Sequence, residues 1–380
     1  MVHTLERLAA QLAVSSPPEH GFSYVDLDRR PTGIGRLTGW VIPAKDLYDV
    51  AGMPTTFGSV RRTRPAERTE PFLARLEAQG AVIPGKSAVP ELGLTIHTEP
   101  VGLPAPDNPL YPGHTPGGSS GGAAVMVARG LVRAAHASDG GGSIRVPAAA
   151  TGLVGFMPAH EGLSAQGFLT RSVADSAFLH GLAPQRRHLR IGVLFEPLFA
   201  PAEVAGDWLR GAEQAAERLA DAGHTVRRVR PWEQAAETFG AFTDLFTAKL
   251  APLPEAEGLA AWLRGHGREV SGARLAAARA HAAALPRALH EFWGVDVLLT
   301  PTLACDPPPI GYFAAQAPAD NFRAQTRWSP WASLFNVAGT AAISVPWPRP
   351  GRPPTAVQLG AVTVDDATLL GLAQELTDDR

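Results

Sequence analysis

Cysteine is almost missing from this chain: of 380 residues only Cys305 carries a thiol. A lone cysteine excludes internal disulfides and thiolate-built metal sites. It fits a reducing compartment, and we expect a cytoplasmic protein. Lysine is nearly as scarce. Of the 34 basic residues only Lys45, Lys86 and Lys249 are lysine, and the rest are arginine. Arginine keeps its proton in a protein, whereas a buried lysine can lose it. Lysines that persist against such a bias are therefore candidates for a general base. Net charge is also small, −2, so no global field draws in nucleic acid or an anionic membrane. No run of about 18 apolar residues occurs, and no membrane span is expected. Residues 1–16 lack the basic start and continuous apolar stretch of a targeting segment. Leu5, Leu8, Ala9 and Leu12 recur there at helical spacing instead, which predicts an amphipathic helix.

What is present suits a large core. Hydrophobic residues make up 45% and charged residues 18%, which excludes a disordered chain. Residues 36–50 read as a short apolar strand ending near Lys45, and 81–83 as another. Residues 70–79, 121–131 and 172–182 read as helices, and 93–118 as loop. A strand at 189–195, an alanine-rich helix at 203–222 and a strand at 224–229 predict a βαβ-like unit. Residues 239–293 read as mainly helical, 295–300, 341–345 and 355–359 as strands, and 365–376 as a closing helix. The class is α/β, with a mixed β-sheet core surrounded by helices.

Two loops carry the chemistry. Residues 116–122 read PGGSSGG, and residues 139–148 read DGGGSIRVPA. Glycine lets main-chain N–H groups approach a ligand closely. Three glycines before Ser143 can aim several donors at one developing oxyanion. Ser119 also matches G-x-S-x-G, but a nucleophile elbow needs a preceding strand. The preceding PLYPGHTP cannot make a central strand. No Gly-Lys-Ser/Thr ends either glycine run, which argues against a P-loop. None of the 12 histidines has metal-ligand spacing with carboxylates, and no metal or cofactor is expected. His114 and His136 lie near the serine loops and read as loop or core histidines.

The run PGGSSGG followed by DGGGSIRVPAAATGLVGFMP resembles the amidase signature family. Upstream, IPAKDLYDVAGMPTTFGS resembles that family's lysine motif. Downstream, VDVLLTPT, FNVAGTAAISVP and TAVQLGA resemble its closing segments. The resemblance implies one domain over 1–380, with a signature core at 36–182, a variable substrate-shaping part at 183–294 and closing elements at 295–380. It implies hydrolysis of a carboxamide through a Ser–cisSer–Lys triad and an acyl-enzyme. Ser143 would be the nucleophile, Ser119 the bridging serine and Lys45 the base. Gly140, Gly141, Gly142 and Ser143 would form the oxyanion hole, with Ser120, Asp139 and Arg145 as loop support.

Adjacent strand residues point to opposite faces, so Asp46 need not pair with Lys45. Lys86 falls outside the triad, and Lys86→Arg is expected to be nearly silent. Lys249 reads as a surface lysine, and Cys305 as a small packed residue. Three positions depart from the family pattern: Gly140, where a hydroxyl residue is common, Met157, where lysine is common, and Thr340–Ala341, where proline is expected. The chain is also shorter than typical members, chiefly within 183–294.

The substrate is expected to be a small-molecule amide with a neutral apolar or aryl group. Leu194, Phe195, Leu198, Phe199, Phe239, Phe242, Phe246, Trp328, Trp331 and Phe335 are the candidate pocket residues, with core packing the default for the two tryptophans. Arg323 and Arg327 are the cations that could reverse that preference by turning inward. No nucleic-acid or membrane partner is expected, and a monomer or homodimer is. Two other readings are the glutaminase component of a tRNA-dependent amidotransferase and a degenerate ligand-binding homologue.

Overall fold

The computed structural model describes residues 4–377. Its centre is an eight-stranded sheet. The strand order is Thr225–Arg228, Arg190–Val193, Val297–Pro301, Arg352–Ala361, Ala342–Arg349, Val154–Met157, Ala165–Thr170 and Ala134–Asp139. The first three strands run parallel and every later pairing is antiparallel. The expected mixed-sheet α/β class is therefore present.

Side chains leave the sheet with a period of two. Val297 and Leu299 pack with Ala212, Ala215 and Leu219 of helix Gly206–Asp221. Leu298 joins the other layer, with Leu285, Leu289 and Phe335. Helix Gly206–Asp221 buries Trp208, Gly211, Ala212, Ala215, Ala216 and Leu219, the three-to-four spacing of a core-facing stripe. The outermost strand is mostly exposed and carries Arg227 and Arg228, charges that discourage further strand pairing.

The βαβ unit at 189–229 forms with its two strands parallel. Between 239 and 293 the chain makes helices Ala235–Ala248, Gly258–Glu269 and Gly272–Trp293. The closing strands run longer than expected, through Arg349 and Ala361. The strand expected over 36–50 is reduced to Ala44–Lys45, paired with Gly85–Ser87, plus an isolated bridge from Val41 to Val82. That bridge is all that remains of the strand expected at 81–83. Proline at 43 and glycine at 39 interrupt the ladder there. Three strands between 134 and 170 are absent from the sequence reading. Ala134–Asp139 is short and alanine-rich, and burial on every residue makes it a strand, against its weak intrinsic preference. Among the described residues no helix is long and apolar enough to cross a membrane.

The short Ala44–Lys45 pairing positions two buried charges. Lys45 and Asp46 point apart. Asp46 lies 3.1 Å from Lys86 Nζ, with both side chains fully buried. Asp46 also accepts from Ser23 Oγ at 2.8 Å and from the Thr56 N–H at 3.2 Å. Lys86 donates to Thr55 Oγ1 at 3.0 Å. The expectation that Lys86→Arg is silent is thereby overturned, because a guanidinium has no room in a closed ammonium site. Lys86→Met should cost about 3–5 kcal/mol by stranding Asp46. Lys86→Arg should cost about 1–3 kcal/mol through overpacking. Urea unfolding midpoints would measure both, and two wild-type midpoints would show that the pair contributes nothing.

Candidate active site

Lys45 is fully buried. Its Nζ lies 2.8 Å from Ser119 Oγ and donates to the Ser138 carbonyl oxygen at 3.0 Å. Burial pulls its pKa down to about 7, and the negative charge of Asp139 opposes that shift. The Lys45 backbone N–H donates to His136 Nδ1 at 3.1 Å. Burial holds His136 near a pKa of about 3, so the ring is neutral at ordinary pH. With Nδ1 accepting, Nε2 carries the proton and donates to Gln166 Oε1 at 3.0 Å. His136 is thus a core residue of strand Ala134–Asp139, and it orients the backbone at Lys45.

Ser119 follows a cis Gly118–Ser119 peptide and precedes helix Gly121–Ala128. A Cβ on Gly118 would fall 2.5 Å from the His97 carbonyl oxygen, so only glycine lets this loop close onto residue 97. Ser120 Oγ donates to the Ser138 carbonyl oxygen at 3.4 Å. Ser143 lies between strand Ala134–Asp139 and helix Arg145–Ala150 and is 7% exposed. Ser119, Ser143, Gly140 and Gly141 border one cavity.

Asp139 and Arg145 form a fully buried ion pair at 2.9 Å. Asp139 accepts from the N–H groups of Gly142 at 2.6 Å and Ile144 at 3.1 Å, and from Asn336 Nδ2 at 2.9 Å. Arg145 donates to the Ala332 carbonyl oxygen at 2.8 Å, Gln358 Oε1 at 2.7 Å and Asn336 Oδ1 at 2.6 Å. Burial would raise the Asp139 pKa, but Arg145 outweighs it and holds the carboxyl well below the usual range. One expectation is corrected here. The Gly142 N–H is committed to Asp139, and Gly142 does not border the cavity. Gly140, Gly141 and Ser143 remain as oxyanion-donor candidates.

The departures from the family pattern have local explanations. A Cβ on Gly140 would lie 2.8 Å from Ser164 Oγ, so a hydroxyl from another loop already occupies that space. Met157 Sδ accepts from Asn336 Nδ2 at 3.2 Å and lies 3.5 Å from Arg145 Nη2, where a lysine would repel the guanidinium.

The cavity holds about 240 Å³. Phe239, Phe242 and Phe246 line it as expected. Leu194, Phe195, Leu198, Phe199, Trp328, Trp331 and Phe335 do not. Phe199 stacks behind Phe239. Trp331 and Phe335 are fully buried in the core, and Trp328 packs on Phe313. The signature core supplies much of the wall instead, through Leu47, Tyr48, Leu92, Leu94 and Ile96. Phe322, Gln325, Ser329 and Ser333 complete it. These were not legible, because they come from loops and helix faces that only folding brings together. Lys249 is exposed but borders this cavity. Arg323 pairs with Asp320 on the surface, and Arg327 borders a separate cavity beside Cys305. Cys305 is exposed rather than packed. Among the described residues no cluster of His, Cys, Asp and Glu could hold a metal.

Comparisons with known proteins agree with this architecture. The Amidase family model matches residues 23–181 and 259–370. The chain is 34% identical over 381 residues to "Putative amidase AmiB2" of Mycobacterium bovis, covering 90% of this chain and 82% of that protein. The structure of 6-aminohexanoate cyclic dimer hydrolase superposes with a TM-score of 0.87 at 24% identity, covering 98% of this chain and 92% of that one. A glutamyl-tRNA(Gln) amidotransferase structure from Thermotoga maritima superposes with a TM-score of 0.82 at 21% identity, covering 100% and 91%. With its family model matched over most of its length, the chain belongs to the amidase signature family and is a hydrolase acting on amide bonds.

Proposed function

We propose that this enzyme hydrolyses small-molecule carboxamides with an apolar acyl or aryl group, through Ser143, Ser119 and Lys45. The observation that carries the reading is the 2.8 Å contact between Lys45 Nζ and Ser119 Oγ in a closed interior. A serine hydroxyl is a poor nucleophile until a base removes its proton. A neutral Lys45 amine takes the Ser119 proton on its lone pair while the Ser138 carbonyl aims it. Ser119 takes the Ser143 proton as Ser143 Oγ bonds to the amide carbon. The oxyanion is held by N–H groups of the Gly140–Ser143 loop, which Asp139 and Arg145 support. Collapse breaks the C–N bond, and the relay returns a proton from the Lys45 ammonium through Ser119 to the leaving amine. Water, deprotonated by the same relay, then cleaves the acyl-enzyme.

The amidotransferase glutaminase shares this fold, but glutamine would place its charged groups among Phe242, Leu47 and Leu92, where no counter-charge lies among the described residues. A degenerate binding homologue would not need the buried lysine, whose desolvation is costly without a use for a neutral amine.

Ser143→Ala should abolish both turnover and labelling by a fluorophosphonate while the melting profile persists. Labelling at the wild-type rate would move the nucleophile to Ser119. For Lys45 the sign is set by its role as base, which needs the neutral form. kcat/KM should rise with pH through about 7, the pKa to which burial brings Lys45, and then level off. Lys45→Arg should be as inactive as Lys45→Ala, since arginine cannot accept the proton. Substantial activity in the arginine variant would refute the relay. Along a series of neutral acyl p-nitroanilides, each added methylene should gain about 0.8 kcal/mol until the cavity fills. Peak activity on glutamine or malonamate, falling with chain length, would overturn the apolar assignment.

A further inference from the structure

One helix runs from the nucleophile loop to the cavity mouth. In helix Ala235–Ala248, Phe242, Phe246 and the capping Lys249 are spaced four and three residues apart and share a face. A Cβ on Gly141 would lie 2.9 Å from Phe242 Cζ, so the first of these rings abuts the loop that carries Ser143. Phe246 stacks on Phe242 with ring centroids 5.6 Å apart. Lys249 follows at the exposed edge of the same cavity.

Among the described residues, Lys249 is the one formally charged side chain bordering this cavity. Only burial acts on it, and no neighbouring carboxylate opposes that effect. The acids around it are engaged elsewhere. Asp244 pairs with Arg274 at 2.5 Å, Glu257 with Arg61 at 2.7 Å, and Glu91 with Arg62 at 2.8 Å. A cation is favoured at a helix C-terminus, but arginine would serve that purpose as well, and this chain uses arginine at nearly every basic position. The ladder has a length. Seven residues at 1.5 Å each span about 10 Å, which an extended chain of roughly six to eight carbons covers.

We propose that Lys249 determines specificity by pairing with an anionic group, a carboxylate, at the far end of the substrate's acyl chain. The acyl chain crosses the faces of Phe242 and Phe246, and its terminal carboxylate reaches the ammonium at the mouth. This inference rests on the amidase reading above and refines it. The chain beside the scissile bond stays neutral and apolar, and the charge belongs only at its end.

The test compares p-nitroanilides of one eight-carbon chain ending in methyl (octanoic acid), carboxylate (suberic acid) or ammonium (8-aminooctanoic acid). The reading is the ratio of kcat/KM values within one enzyme, which cancels any general loss of active protein, and thermal melts check the fold. The wild type should favour the suberyl over the octanoyl compound, and the preference should shrink with added salt. Lys249→Met should lower that ratio about tenfold. Lys249→Glu should invert the charged pair, so that the aminooctanoyl compound outruns the suberyl one. Ratios unchanged in both variants, with octanoyl anilide still hydrolysed, would overturn the role of Lys249 and leave the amidase reading intact. No turnover of any of the three compounds and no fluorophosphonate labelling of the wild type would instead overturn the amidase reading and this inference with it.

Discussion

The buried Asp139–Arg145 pair is the interaction on which the site depends. Removing two charges from water costs several kcal/mol each and is offset only when nearly every donor and acceptor finds a partner. Here the partners come from four places: the glycine loop after Asp139, the main chain at Ala332, Asn336 on helix Ser333–Ala338, and Gln358 on strand Arg352–Ala361. The loop bearing Ser143 is thereby tied to the middle of the sheet and to the closing elements at once. The same carboxylate acts on Lys45. Burial draws the lysine pKa down, and the charge of Asp139 keeps it from falling further. A single anion therefore organises the nucleophile loop and tempers the base.

The lysines differ because their surroundings differ. Lys86 has Asp46 at 3.1 Å in a closed site, so its charge is matched and its role is structural. Lys45, next to Asp46 in sequence, points to the other side of its short strand, against a hydroxyl and a carbonyl. Pairing decides which buried lysine keeps its proton. Lys249 stands at the end of an aromatic row, where an incoming ligand can meet it.

The cavity wall is assembled from distant parts of the chain. Leu47, Leu92 and Ile96 come from loops in the first hundred residues, Phe239, Phe242 and Phe246 from one helix, and Phe322, Ser329 and Ser333 from near the end. The expectation that the signature core leaves specificity to its surroundings holds only in part. The large aromatics that looked like pocket walls, Trp331 and Phe335, went into the core because the sheet needs bulk on that face. Smaller hydroxyl residues of the same segment reached the cavity.

By itself the sequence determined the class, the βαβ unit, the two serine–glycine loops and the lysine that stands beside Ser119. These are local features, encoded in periodicity, in runs of glycine and in a composition that spared three lysines. It did not reveal the strands between 134 and 170. Alanine and serine carry little strand preference, and pairing with distant neighbours supplies what local preference lacks. Nor did it reveal that Gly142 spends its N–H on Asp139, that His136 holds the backbone of Lys45, or that Lys249 borders the cavity. Those are matters of direction and distance between segments far apart in the chain. Only packing of helices and loops around one sheet decides which side chains end within reach of Ser143.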